Sequence, residues 1–414
     1  MPTGPRIAES PIELNIRDPI DPSNRTQPGA DTPRRVFLVG LATHGRPGFE
    51  VEEHLDELAQ LADSAGAEAV GRAVQRRRAP DPAHYVGRGK AEEIGRAAGQ
   101  LGADLVVFDD DLSPSQIKNL ERVLDAAVMD RSALILEIFR QRARTREART
   151  QVELAQLNYM LPRLTGRWRH LGRQAGGIGV RGGEGEKQIE ADRRMLRRRI
   201  SRLEKDLQKI ERTRETQRRG RRGLPIVALA GYTNAGKSTL FNRLTETGGA
   251  RTADLLFATL DARLRRGTLD GVGTVLFTDT VGFIRKLPHH LVSSFRSTLG
   301  EIAESDLVLH VIDRSHPRWS EQMELAEEVL RSLGVEPGRM IRVFNKSDLF
   351  SGESPTAAAG DGAISISALT GSGQEELAAE IARRLERLRE AGAPPPNGLP
   401  DPEMRAVVPP WEAS

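Results

Sequence analysis

"GYTNAGKST", residues 231–239, follows the apolar run "PIVALAGY" and opens a helical pattern from Lys237 to Leu244. It fits G-x-x-x-x-G-K-[ST] between a strand and a helix, the setting in which that pattern cradles phosphate. Gly231 and Gly236 let the backbone curl until its N–H groups converge on phosphate oxygens, and the helix N-terminus adds partial positive charge. A nucleotide is therefore expected on Gly231, Tyr232, Thr233, Asn234, Ala235, Gly236, Lys237, Ser238 and Thr239. In such a loop the lysine, here Lys237, reaches the β- and γ-phosphates and the hydroxyl, here Ser238, ligates Mg²⁺. The fold this demands is α/β, with a mostly parallel sheet flanked by helices.

The phosphate loop does not choose the base; "NKSD" at 345–348, closing the strand pattern "MIRVFN", does. A carboxylate at Asp348 accepts two hydrogen bonds from guanine, at its ring N–H and its exocyclic amine, and adenine offers no such pair. Asn345 braces the loop, the Lys346 stem lies over the base, and Ser367, Ala368 and Leu369 end the next strand beside it. The expected ligands are GTP and GDP with Mg²⁺. Two further loops sense the γ-phosphate. In "FATLD", Phe257 and Ala258 lead to Thr259, placed to ligate Mg²⁺ and to donate its backbone N–H. In "DTVG", Asp279 holds Mg²⁺ through water, Thr280 and Val281 follow, and the Gly282 N–H meets the γ-phosphate. The catalytic candidates are Lys237, Thr259 and Gly282, and the metal candidates are Ser238, Thr259 and Asp279. The next residue is Phe283, where many such switches carry a Gln that orients the attacking water. Phenylalanine can do no such thing, so Phe283 is expected to retract from the site. Intrinsic hydrolysis is then slow and completed from outside.

Residues 1–33 are Pro-rich without apolar periodicity and read as a disordered arm. Strand and helix patterns alternate over 34–135, predicting a small α/β domain; "SPSQIKNLERVLD" there carries an N-cap serine and a first-turn proline. Residues 136–222 show no strand signal. Leu154, Leu157, Leu161 and Leu164, then Leu196, Ile200, Leu203, Leu207 and Ile210, keep heptad spacing, which predicts an antiparallel helical hairpin. Between the seams, the Gly density of Gly166–Gln188 predicts a basic tip loop in which Trp168 and His170 could stack on bases. The nucleotide-binding region spans 223–390, and 391–414 read as a Pro-rich disordered tail.

The chain has 414 residues, no Cys and a net charge of +3. Thiolate metal sites, disulfides and thiol nucleophiles are excluded. No apolar run approaches the roughly 18 residues a membrane span needs, so a soluble protein is expected. The small net charge hides an asymmetry. From Arg140 to Arg222 there are about 25 Lys or Arg against about 10 Asp or Glu, roughly +15, which leaves roughly −12 elsewhere. A basic block on an acidic body points to a polyanion partner, nucleic acid above all.

Taken together, "YVGRGKAEEI", "FDDDLSPSQIKNLE", "DRSALILEIFRQRART", "QVELAQLNYMLPRLTG", "GGIGVRG", "GYTNAGKSTLFNRLT", "FATLD", "DTVGFIRKLPHHLVSSFRSTL" and "NKSD" resemble the HflX family of ribosome-associated GTPases, within the Obg–HflX branch. The resemblance runs from about residue 35 to 370. It implies a GTPase that binds the large (50S) ribosomal subunit and its rRNA, and that splits or rescues stalled ribosomes. It also implies hydrolysis stimulated by the ribosome and driving release. Such a protein is cytoplasmic and monomeric, with peripheral membrane association left open. Two alternatives remain at this stage: a guanine-nucleotide-gated rRNA-binding factor for ribosome assembly or hibernation, and NTP-dependent RNA remodelling. The sequence departs from the family's pattern in three places. The tip reads "GGEGEKQ" at 182–188 where G-P-G-E-T-Q is usual, and Ala262-Arg263-Leu264 replaces Pro-Thr-Thr after "FATLD". A Pro-rich tail is expected where many members carry a small C-terminal α/β domain.

Overall fold

Unbroken apolar runs such as "VFLVG" and "LVVF" suit strands buried on both faces, the condition of a parallel sheet covered by helices. The computed structural model describes residues 34–165, 184–219, 224–245, 256–257, 259–261, 263–286, 296–349 and 363–390. The arm over 1–33, the tip with Trp168 and His170, Ala258, Ala262 and the tail over 391–414 lie outside the described residues.

In the first lobe, β1 (Arg34–Ala42), α1 (Gly48–Ser64), β2 (Ala67–Arg76), α2 (Arg88–Gln100), β3 (Leu105–Phe108), α3 (Pro114–Leu124), β4 (Ala127–Asp130) and α4 (Arg131–Arg142) alternate. The four strands pair in parallel in the order β2-β1-β3-β4. Helix α3 starts on a capping box: the Ser113 hydroxyl accepts from the Gln116 N–H, and the Gln116 side chain accepts from the Ser113 N–H at 2.8 Å. Pro114 occupies its first turn, where a missing N–H does no harm.

The lobe boundary expected at 135 falls inside α4. Asp130 caps this helix by accepting from the Ala133 N–H at 2.9 Å, and Leu134, Ile135, Leu136, Ile138 and Phe139 are all buried in the core of the lobe. The lobe therefore continues to about Arg142. Because α4 is covered on nearly every side, it lacks the one-sided apolar stripe that marks a surface helix.

Helix α5 (Arg146–Met160) follows, continued by a short 3₁₀ turn over Leu161–Thr165, and pairs with α6 (Glu184–Arg219). Leu154, Leu157, Leu196 and Leu203 form a buried seam, with Leu161, Leu164, Ile200 and Leu207 packed against it. Glu153 accepts two hydrogen bonds from Arg199, at 2.7 and 2.9 Å. Residues from Glu184 are helical, so the described end of the expected irregular loop to Gln188 belongs to α6.

The remaining region is a six-stranded sheet in the order β10-β9-β8-β5-β7-β6, built from β5 (Ile226–Gly231), β6 (Arg263–Leu269), β7 (Gly273–Asp279), β8 (Leu307–Asp313), β9 (Met340–Asn345) and β10 (Ile364–Ser365). All neighbours are parallel except β6 with β7. Helices α7 (Lys237–Leu244), α8 (Arg296–Ala303), α9 (Trp319–Ser332) and α10 (Gln374–Glu390) flank it. One apolar core runs from the first lobe into this region: Leu55, Leu58 and Phe139 share a cluster with Tyr232, Phe257, Phe283 and Ile284. Among the described residues no helix is long and apolar enough to cross a membrane.

Candidate nucleotide-binding site

Strand β5 delivers the chain at Gly231, and α7 takes it away at Lys237. Both glycines that bound the loop are obligatory in this geometry. Gly231 has φ +145°, and a Cβ there would lie 2.2 Å from the Val311 carbonyl oxygen; Gly236 has φ +88°, and a Cβ would lie 2.2 Å from Asn345 Nδ2. Lys237 is buried against the loop it closes, with Nζ donating to the Gly231 and Tyr232 carbonyls at 3.1 and 2.7 Å. Burial pushes its ammonium down to about 8, against the opposing charge of Asp279.

Three oxygen-bearing side chains, from α7, β7 and the loop before β6, meet beside Lys237. Asp279 Oδ2 accepts from Ser238 Oγ at 2.7 Å and from Thr259 Oγ1 at 2.9 Å, and the two hydroxyl oxygens lie 3.0 Å apart. Asp279 Oδ1 is buried without a hydrogen-bond partner, and burial raises this carboxyl above its ordinary value. A hard, all-oxygen donor set with an unsatisfied carboxylate oxygen fits Mg²⁺. Gly282 closes the same end of the cavity: a Cβ there would meet Lys237 Nζ and Thr233 Cα, each at 2.9 Å.

At the other end, Asn345 joins the two halves of the site. Its Nδ2 donates to the Ala235 carbonyl at 2.8 Å, and its Oδ1 accepts from the Ala368 N–H at 2.9 Å. Asp348 is exposed at the cavity mouth and accepts from the Ser367 hydroxyl. Lys346, at φ +63°, pairs with Asp313 at 2.8 Å. The cavity between these ends measures about 380 Å³. Its lining includes Thr233, Asn234, Gly236, Lys237, Ser238, Thr239, Phe257, Thr259, Thr280 and Gly282, then Asn345, Lys346, Asp348, Ala368 and Leu369. Leu349 also lines it, a residue with no sequence signal of its own.

Other candidates stand behind the lining. Ala235 and Val281 are core residues, and Ser367 supports Asp348. The Thr280 hydroxyl, although its residue lines the cavity, donates to the Leu229 carbonyl at 2.7 Å. Tyr232 turns away altogether, donating to Glu57 of the first lobe while its oxygen accepts from the Arg285 N–H at 2.8 Å. Phe283 is only 1% exposed and packs into the shared core. Its N–H donates to the Gly231 carbonyl at 3.0 Å and its carbonyl accepts from the Thr233 N–H at 2.7 Å, stitching switch to phosphate loop.

The first lobe grips both switches through residues that no sequence motif announces. On one side, the Leu256 N–H donates to Ser64 Oγ at 2.9 Å, and the Phe257 ring meets Phe139 edge-on at 4.8 Å. On the other, Lys286 reaches into the lobe where β3 ends, pairing with Asp109 and, at 2.6 Å, with Asp110. Arg131 donates to Asp109 at 2.8 Å, to Glu57 and to the Arg285 carbonyl at 3.2 Å. Burial alone would raise the Asp109 carboxyl, but Lys286 and Arg131 outweigh it and hold the group below its ordinary value. Asp109→Ala should therefore take from Arg131, itself 2% exposed, one of its two carboxylate partners, leaving only Glu57, and cost about 1–3 kcal/mol in a urea titration. A loss below about 1 kcal/mol would show that the network contributes little to stability.

Residues 52–140 match the family described as GTP-binding GTPase N-terminal, residues 142–221 the GTP-binding GTPase middle region, and residues 226–346 the 50S ribosome-binding GTPase. The GTPase HflX of Lacrimispora saccharolytica is 48% identical over 83% of this chain and 81% of its own length. The GTPase HflX of Escherichia coli K12 is 46% identical over 80% of this chain and 79% of its own. A solved GTP-binding protein of Sulfolobus solfataricus in complex with GDP is 24% identical, covers 86% of this chain and 99% of that one, and has a TM-score of 0.46. Identity near one half that spans the lobe, the helical pair and the nucleotide region together leaves one conclusion: the chain belongs to the HflX family of GTPases.

Proposed function

We propose that this GTPase works as a monomer in the cytoplasm, binds the large ribosomal subunit in its GTP state through rRNA contacts of the helical pair, and splits or rescues stalled ribosomes, with hydrolysis releasing it. Lys237 and the Gly282 N–H would hold the γ-phosphate end. Ser238 and Thr259 would ligate Mg²⁺ directly and Asp279 through water, the ion supplying charge neutralisation on the phosphates. Asp348 would read guanine under the stem of Lys346.

The observation that carries this reading is a direct link between the nucleotide switch and the basic helices. Asp261, two residues after Thr259, accepts from the backbone N–H groups of Arg144 and Thr145 at 3.1 and 3.3 Å, and from the Thr145 hydroxyl. Thr145 is the cap of α5, so a switch loop reordered by loss of the γ-phosphate would pull on the helical pair itself. Along α6, Arg194, Arg197, Arg198 and Arg202 are exposed, a surface suited to phosphate backbones.

Subunit binding should weaken as salt rises. Arg197→Ala or Arg198→Ala should each lower the slope of log affinity against log salt by about 1. A slope unchanged by either substitution would remove α6 from the RNA-binding surface. The function as a whole is tested by GTP turnover with and without purified large subunits; turnover indifferent to them would overturn it.

A further inference from the structure

Hydrolysis needs a group that orients the attacking water, and Phe283 is sealed in the core. The structure assigns that task to Thr233: its hydroxyl holds the water at the γ-phosphate. Thr233 lines the cavity, is 7% exposed, and its Oγ1 is buried with no hydrogen-bond partner. A buried hydroxyl left unpaired is unfavourable, and native interiors rarely keep one without a use. The Thr233 N–H donates to the Phe283 carbonyl, so the residue is held between phosphate loop and switch. Its place is also the right one. Thr233 Cα and Cγ2 each lie 2.9 Å from where a Gly282 Cβ would stand, and Lys237 Nζ lies 2.9 Å from the same point. Thr233, Gly282 and Lys237 thus converge on one end of the cavity. The Cγ2 methyl faces that point as the side chain stands, and a turn about χ1, whose wells are few in a β-branched residue, brings Oγ1 to it.

This inference rests on the placement of the γ-phosphate between Lys237 and Gly282. In the step itself, the water oxygen bonds to the γ-phosphorus, and the bond from that phosphorus to the bridging oxygen breaks. The electron pair leaves with GDP, and the water's proton ends on the released phosphate. Thr233 accepts a hydrogen bond from the water and donates its own to a γ-phosphate oxygen, so it gains and loses no proton.

Thr233→Val keeps the shape and removes the hydroxyl. It should lower single-turnover GTP hydrolysis about 100-fold, with the affinities for GDP and for a non-hydrolysable GTP analogue unchanged. Thr233→Ser should restore the rate to within several-fold of the original. A Thr233→Val protein that hydrolyses at the original rate overturns the assignment. So does one whose slower turnover is matched by an equal loss of analogue affinity, because the hydroxyl would then serve ground-state binding. Lys237→Ala, measured in parallel, separates the two levels. Unchanged turnover there would overturn the placement of the γ-phosphate, whereas a collapse there with an unaffected Thr233→Val would overturn the role of Thr233 alone.

Discussion

Purified large ribosomal subunits are expected to raise GTP turnover by about 10³–10⁵-fold. Phosphoryl transfer of this kind is mostly positioning and charge neutralisation, and the chain supplies much of both. Lys237 closes the phosphate loop, and Ser238, Thr259 and Asp279 share one hydrogen-bonded cluster. At the position after Gly282, however, it offers only a phenyl ring packed beneath the loop. One hydroxyl at Thr233 can steer a water, but it adds no positive charge to the transition state, so an external supplement has work left to do. The measurement is phosphate release at saturating GTP over a range of subunit concentrations. Replacing Arg197, Arg198 and Arg202 with Glu should remove most of the stimulation and leave the intrinsic rate intact, since these exposed side chains lie on α6, away from the cavity lining. A flat response in the unaltered protein would mean that turnover is not governed by the subunit.

Asp348→Asn is expected to weaken GDP and GTP binding by about 10²–10⁴-fold, two charge-assisted hydrogen bonds at about 1.5–3 kcal/mol each. Asp348 sits at the cavity mouth, steadied by the Ser367 hydroxyl, while Asn345 ties the neighbouring turn to the phosphate loop. The substitution therefore alters the reading group and leaves its support standing. An amide also turns an acceptor into a donor, which suits the 2-oxo group of xanthine. Affinity lost for GDP should reappear, at least in part, for XDP. Calorimetric titration with both nucleotides decides the matter, and an Asp348→Asn protein that still prefers guanine by its original margin would take base selection away from this residue.

Both experiments probe parts of the molecule that local sequence makes legible. The phosphate loop, "DTVG" and "NKSD" are short because each serves one stretch of backbone, and Gly231 and Gly236 show why: their torsions and close neighbours exclude a side chain. The heptad leucines are legible for a related reason, since one helix repeats its own packing demand every few residues. Strand β6 escapes such reading. As an edge strand it buries little, so "RLRRGTL" carries charge where a central strand would carry valine, and it pairs antiparallel with β7. Helix α4 escapes for the opposite reason, being buried nearly all round.

The motif positions and the alternation of strands and helices around them follow from spacings of a few residues. How the parts are joined does not; it appears only in the folded molecule. Lys286 meets Asp109 from 177 residues away, Tyr232 meets Glu57 from 175 and Asp261 meets Thr145 from 116. No periodicity records such pairs. Each is a charged or polar group that must find a partner once folding buries it, and which partner it finds depends on how two separately formed sheets bring their ends together.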